Sequence, residues 1–92
     1  MKVLIVDDEP LARARLSKLL GDIDGAEVVG EAGNGEAAIK QVHALEPEVV
    51  LLDIRMPGMD GIEAGSHISA LDNPPAIIFT TAYGEFALDA FK

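Results

Sequence analysis

Three short runs, "KVLIV" (2–6), "VVLLD" (49–53) and "AIIFTT" (76–81), are apolar at consecutive positions, not at every second one. A strand with one wet face alternates in polarity. A strand that is apolar throughout is buried on both faces and needs cover on both. The segments between these runs carry the other hydrophobic period. Pro10 opens a helical stretch with apolar positions at Ala12, Leu16, Leu19 and Leu20, and Gly21 is its stop; Arg13, Arg15 and Lys18 lie off that stripe. Asn34 caps a second helix with the stripe Ala38, Val42 and Leu45, ended by Pro47. A third runs from Ile62 to about Leu71, with Ala64, Ile68 and Leu71 on one face, and "NPP" (73–75) breaks it. "AEVVGEA" (26–32) reads as a less apolar strand nearer an edge, and "YGEFALDAFK" (83–92) as a fourth helix whose stripe is Tyr83, Phe86, Ala87, Ala90 and Phe91. The order β-α-β-α-β-α-β-α predicts an α/β fold, a doubly wound parallel sheet covered by helices on both faces.

Bulk composition narrows the class. Ninety-two residues with 49% hydrophobic content suffice for one domain, residues 1–92, with a real core. The absence of cysteine excludes disulfides, zinc-thiolate sites and thiol catalysis, and it fits the cytosol. A net charge of -9 repels phosphate backbones and anionic lipid, so this chain alone is not expected to bind nucleic acid or a membrane. No apolar run nears the roughly 20 residues of a membrane span, and "MKVLIVDD" lacks the long h-region of a secretory signal. The expectation is a soluble, untargeted, cytoplasmic protein.

The first apolar run ends directly in three carboxylates, Asp7, Asp8 and Glu9. In a doubly wound sheet, ligands sit beyond the carboxyl ends of the strands, where strand order reverses. In the flavodoxin-like order 2-1-3-4, the first and third strands are neighbours straddling that reversal, so Asp7, Asp8 and Asp53 would meet in one crevice. Two unit charges 4 Å apart repel by about 4 kcal/mol at an effective dielectric near 20. A hard divalent cation removes that penalty, and Mg²⁺ is bound by one or two carboxylates with waters and a phosphate oxygen. A carboxylate can also attack phosphorus to form an aspartyl-phosphate. Asp53, alone at a strand end beside the loop "RMPGMDG" (55–61), is the nucleophile candidate, and Asp7 and Asp8 are the metal holders. Thr80 and Thr81 differ in parity, and Thr81, followed by the small Ala82, is placed to reach a phosphoryl oxygen.

Each feature also has a plainer reading. "DDEP" taken alone is an ordinary helix start, since acids and Pro both favour that end. "MPGMDG" is turn chemistry. Gly65 inside a helix costs about 1 kcal/mol against Ala, and close packing explains it. His43 and His67 have no acid or ligand spacing around them and read as surface residues. "GNGEAA" (33–38) fits G-x-G-x-x-A after a strand and before a helix, with Asp53 beyond it, which is close to a dinucleotide fingerprint. It follows the second strand, away from the strand-order reversal, and Glu31 beside it would repel a pyrophosphate.

"VDDEP" (6–10), "LLDIRMPGMDG" (51–61) and "TTA" (80–82), in that order on those elements, resemble the receiver domain of two-component response regulators. "EPLARARL" (9–16) and "FTTAYGEFALDAF" (79–91) resemble more narrowly the LytTR-type, alginate-regulator-like group. The resemblance implies that a sensor histidine kinase phosphorylates Asp53. It implies Mg²⁺ on Asp8, Asp53 and the main-chain carbonyl of Arg55, with Asp7 contributing. It implies that Thr81 moves to hydrogen-bond the phosphoryl group, and that transcription is controlled through a separate DNA-binding output domain. Such a protein is not an enzyme toward other substrates and catalyses only its own modification. Receivers continue with a fifth strand, a lysine beyond it and a fifth helix, whereas nothing follows Lys92 here. The expectation is therefore an incomplete receiver, impaired in phosphorylation, that forms a homodimer by exchanging its terminal helical segment. The competing readings are a small-molecule phosphatase using an aspartyl-phosphate, which the lack of a substrate cap opposes, and a binding-only interaction module.

Overall fold

The computed structural model describes residues 1–80. Within them lie β1 (Lys2–Val6), α1 (Pro10–Gly21), β2 (Glu27–Ala32), α2 (Gly35–Leu45), β3 (Val49–Asp53), α3 (Gly61–Ser69) and β4 (Ala76–Thr80). The four strands form one sheet in the order β2-β1-β3-β4, all pairings parallel. The parallel sheet expected from the alternating hydrophobic periods is observed, and its strand order is the flavodoxin-like one that the receiver resemblance implies. The segment read as a fourth helix, the residue Thr81 and the proposed exchange of the chain terminus lie outside the described residues.

Burial on both strand faces, expected for all three apolar runs, is found for β1 alone; β3 is half-buried on one face and β4 has no fully buried residue. Val3, Leu4, Ile5 and Val6 are all buried. On one face Leu4, Val6, Val50 and Leu52 pack with Ala38 and Val42 of α2 and with Ala64 and Ile68 of α3. Ile77 and Phe79 of β4 border that cluster. Gly65 is buried in this cluster, but a Cβ there would stand 3.4 Å from the Phe79 ring and 3.5 Å from Leu52, ordinary contact distances, so the close packing expected of that glycine does not by itself require it.

Cover on the other face is thinner. α1 packs against β1 and β2, yet none of its residues is fully buried. Ala12, Leu16 and Leu20 of the expected stripe are half-buried, but Leu19 is exposed. Leu11 is 78% exposed and Ile78 of β4 is 52% exposed, so the β3–β4 side of this face carries apolar surface open to solvent among the described residues.

Helix ends follow local chemistry. The Asn34 side chain accepts the Ala37 N–H at 2.8 Å, as expected of that cap. Asp60 caps α3 in the same way through Glu63 N–H, which moves the start of that helix to Gly61. Its end also differs from the expected Leu71. Ala70 closes the helix, and Leu71 N–H bonds back to the Ile68 carbonyl in a tight turn. β2 begins at Glu27 instead of Ala26 and carries a register shift opposite Val3 and Leu4.

The two faces should respond differently to truncation. Leu4→Ala, in the two-helix core, should cost about 2–5 kcal/mol. Leu11→Ala on α1 should stay within roughly 0.5 kcal/mol. Urea unfolding of both variants beside the parent chain checks this contrast.

Candidate functional site

β1 and β3 run side by side, with Val6 opposite Leu52. Their last residues therefore emerge at one edge of the sheet, where β2 departs to one side and β4 to the other. Asp7, Asp8 and Asp53 each bring one carboxylate oxygen into a group whose members lie within 4.8 Å of one another. The convergence expected from the order of the strands is present. Asp7 and Asp53 are half-buried and Asp8 is exposed.

Three hydrogen bonds hold the turn after β1. Asp7 N–H continues the sheet to the Ala32 carbonyl at 3.0 Å. The Asp7 Oδ1 accepts Glu9 N–H at 2.9 Å, a short side-chain turn that fixes the carboxylate. The Asp7 carbonyl accepts Arg13 Nη1 at 2.7 Å. On the other strand, main-chain N–H groups of Arg55 and Ile54 donate to the Asp53 carboxylate. The expected contribution of Arg55 through its carbonyl is a separate matter. What the geometry supplies is Arg55 backbone against Asp53, with its side chain exposed.

The glycine at the end of "MPGMDG" does more than turn the chain. Gly61 N–H donates to the Ile54 carbonyl at 2.8 Å, and a Cβ on Gly61 would lie 2.1 Å from the Asp53 carbonyl oxygen. Only glycine lets the start of α3 approach the end of β3 this closely. Gly58, at φ +76°, supplies the left-handed turn before it. Met59 of the same loop packs where a Gly35 Cβ would stand, its Cγ 2.9 Å from that point. That contact disposes of "GNGEAA" as a phosphate cradle: the small residue receives a side chain of the protein itself, and the β2–α2 turn lies at the sheet edge. Glu31, expected to repel a pyrophosphate at this turn, is paired with Arg13 at 3.2 Å. His43 and His67 are exposed, as expected.

Arg13 is the site neighbour that sequence reasoning missed. It was placed off the apolar stripe, but it is half-buried and its guanidinium reaches both Asp7 and Glu31. A signal existed: Arg13, Leu16 and Leu20 are spaced three and four apart, which puts all three on one helical face.

The electrostatics are those of crowded acids. The Asp53 carboxyl is pushed up from 3.8 to about 6, first by burial, then by the charges of Asp7 and Asp8; the two backbone hydrogen bonds act in the opposite direction. An all-oxygen donor set of three carboxylates at this spacing suits a hard divalent cation such as Mg²⁺ better than a soft one. It also leaves Asp53 with a substantial ionised fraction at neutral pH.

Residue 80 ends β4 opposite Asp53. The Thr80 hydroxyl is buried and has no hydrogen-bond partner among the described residues. Thr81, the expected phosphoryl-binding hydroxyl, follows it and is not described. No helix among the described residues is long and apolar enough to cross a membrane.

Residues 3–92 match the family model described as response regulator receiver domain. The chain is 54% identical over 93 residues to the "Positive alginate biosynthesis regulatory protein" of Pseudomonas aeruginosa, covering 100% of this chain and 38% of that protein. It is 48% identical over 92 residues to "Transcriptional regulatory protein BtsR" of Salmonella typhi, again covering 100% of this chain and 38% of the relative. Among solved structures, it is similar to the response regulatory domain of protein mrkE from Klebsiella pneumoniae, with a TM-score of 0.86 and 37% identity over 99% of this chain and 75% of that one. It is also similar to a chain of the CheX-CheY-BeF3-Mg+2 complex from Borrelia burgdorferi, with a TM-score of 0.84 and 32% identity over 99% of this chain and 70% of that one. The chain thus spans about 38% of the length of these two curated relatives.

Two substitutions test the crowding. The folded state holds Asp53 protonated up to about pH 6 and the unfolded state only to about 3.8. Between those values the folded chain binds more protons, so in metal-free buffer this group makes stability fall as pH rises through that window. Asp53→Asn should remove the penalty. After discounting for the water that reaches a half-buried carboxylate, it should stabilise the chain by about 1 kcal/mol at pH 7.5, with the gain vanishing below pH 4. Thermal unfolding against pH in the presence of a chelator reads this out. Gly61→Ala should destabilise by about 2–4 kcal/mol, as expected for a severe clash with a main-chain oxygen, in the same measurement at any pH.

Proposed function

Because this chain belongs to the family of response regulator receiver domains, we propose that it is the phosphoryl-accepting switch of a two-component system, with Asp53 as the residue phosphorylated. The observation that carries this reading is the meeting of the Asp7, Asp8 and Asp53 carboxylates within 4.8 Å at adjacent strand ends. An Asp53 oxygen attacks the phosphorus of a phosphohistidine on a sensor histidine kinase. The new P–O bond forms as the P–N bond breaks, and the imidazole leaves with its nitrogen free to take a proton. Asp53 is suited to the role because its carboxylate sits at a strand end, held by the N–H groups of Ile54 and Arg55, and is largely ionised above pH 6.

Asp7, Asp8 and Asp53 would hold Mg²⁺, with the Arg55 carbonyl as a further ligand. The ion, when bound, neutralises both the acids and the phosphoryl oxygens. Thr81 would bind the phosphoryl group from the end of β4 and report its presence to the segment that follows. The output is transcriptional in this reading, through sequence beyond the span matched here, as the names of the two relatives suggest. Mg²⁺ also ties function to stability. A ligand at 100 times its Kd stabilises the folded state by about 2.7 kcal/mol.

The test is acetyl phosphate labelling followed by intact mass. One phosphoryl group should be added in the presence of Mg²⁺, none with a chelator, and none in Asp53→Asn. Labelling that persists without a divalent ion, or in the Asn variant, would refute the assignment. Protons compete for the same oxygens, so the Mg²⁺ affinity measured by calorimetry should weaken as pH falls below about 6.

A further inference from the structure

The Arg13 side chain bridges the acid-bearing turn and a neighbouring strand. Its Nη1 donates to the Asp7 carbonyl at 2.7 Å. Its Nε donates to Glu31 Oε1 at 3.2 Å. The anchor is itself held on two sides, because Glu31 pairs in the sheet with Ile5 and its carbonyl accepts Gln41 Nε2 from α2 at 2.6 Å. One planar cation thus ties the first turn of α1, the end of β1 and the end of β2 into a single unit.

We propose that Arg13 is a positioning residue for the metal site: through the Asp7 carbonyl and Glu31 it holds the Asp7–Asp8 turn in the geometry that gathers its carboxylates against Asp53. The inference rests on the proposed Mg²⁺-dependent function. Arg13 makes no ion pair with the carboxylates of the cluster; its guanidinium donates to the Asp7 carbonyl and to Glu31. Two effects of removing it compete, and the structure decides between them. Losing a cation near three acids would favour Mg²⁺, but Glu31 already neutralises that charge, so the electrostatic gain is small. Losing the tether frees the turn that carries two of the three ligands, and that effect dominates. Partners that orient metal ligands are typically worth 10–100-fold in metal affinity. Lysine cannot replace the fork, because an ammonium on a flexible stem does not reproduce two fixed donors.

The test compares the full chain with Arg13→Ala, Arg13→Lys and Glu31→Gln. Calorimetric Mg²⁺ titration well below the unfolding temperature should show Kd raised about tenfold in Arg13→Ala, with Arg13→Lys intermediate. Metal-free amide hydrogen exchange should be faster at Glu9, whose N–H is held by Asp7, and unchanged at Leu4 and Ile5 inside β1. A purely global loss of stability would accelerate exchange in the strand interior as well, so faster exchange at Glu9 with Leu4 and Ile5 unchanged isolates the positioning role. If Arg13→Ala fails to fold, Arg13→Lys and Glu31→Gln carry the same comparison. An unchanged or tightened Kd in folded variants, or unchanged exchange at Glu9, overturns the positioning role. Failure of the parent chain to bind Mg²⁺ would instead overturn the functional reading, and the exchange data would still decide what Arg13 holds.

Discussion

The side-by-side pairing of β1 and β3 is the constraint from which the rest follows. Their register, Val3 opposite Val49 through Val6 opposite Leu52, fixes where each chain leaves the sheet. β1 is buried from both sides, and β3 buries Val50 and Leu52 on one face while Val49 and Leu51 on the other are half-buried, so neither can slide to an edge without exposing its side chains to water. The acids sit immediately after the last buried residue of each strand. Asp7 follows Val6, and Asp53 follows Leu52. Hydrophobic burial thus assembles a group of like charges, and the energy that holds them together comes from the core, not from the acids.

That arrangement explains why the site is poor at rest and responsive to a cation. The upward push on Asp53 comes first from burial and then from its two acidic neighbours. All three causes have the same sign, and each is relieved by positive charge. The two opposing backbone hydrogen bonds hold the Asp53 carboxylate in one orientation while it is repelled. Gly61 completes the support, since α3 starts against the Asp53 carbonyl only because no Cβ intervenes. The loop that looks like turn chemistry therefore sets how tightly the end of β3 is held.

Much of this was legible in the residues because two hydrophobic periods rarely mimic each other over a whole chain. "KVLIV", "VVLLD" and "AIIFTT" read as strands of a parallel sheet once helical stripes were found between them, but burial on both faces holds only for the first: "VVLLD" is half-buried on one face, and β4 has no fully buried residue. Asn34 was legible because its capping chemistry is local. The start of α3 was misplaced by one residue because Asp60 reads as part of a turn until its side chain is seen to accept Glu63 N–H. Its end was misplaced because Leu71 contributes apolar contact from a turn beyond the helix, which periodicity alone cannot separate from one more helical turn. The pairing of Glu31 was not legible for a different reason. Its charge is visible in sequence, but its neutralisation depends on a partner 18 residues away across an α–β contact.

Arg13 and Glu31 together alter how the acidity of this chain should be understood. A net charge of -9 describes the surface as a whole, but the neighbourhood of the site is not uniformly negative. One salt bridge lies directly behind the Asp7–Asp8 turn, neutral as a pair and anchored to the sheet. A fully negative surround would attract cations to many places with little geometric preference. A neutral, hydrogen-bonded backing confines the unbalanced charge to the three carboxylates that converge, and so makes the attraction local. Among the described residues the Asp7 carboxylate has no ion-pair partner, since Arg13 donates to a carbonyl and to Glu31 instead. Had the guanidinium reached the Asp7 carboxylate instead, it would have occupied by itself the position a divalent ion requires.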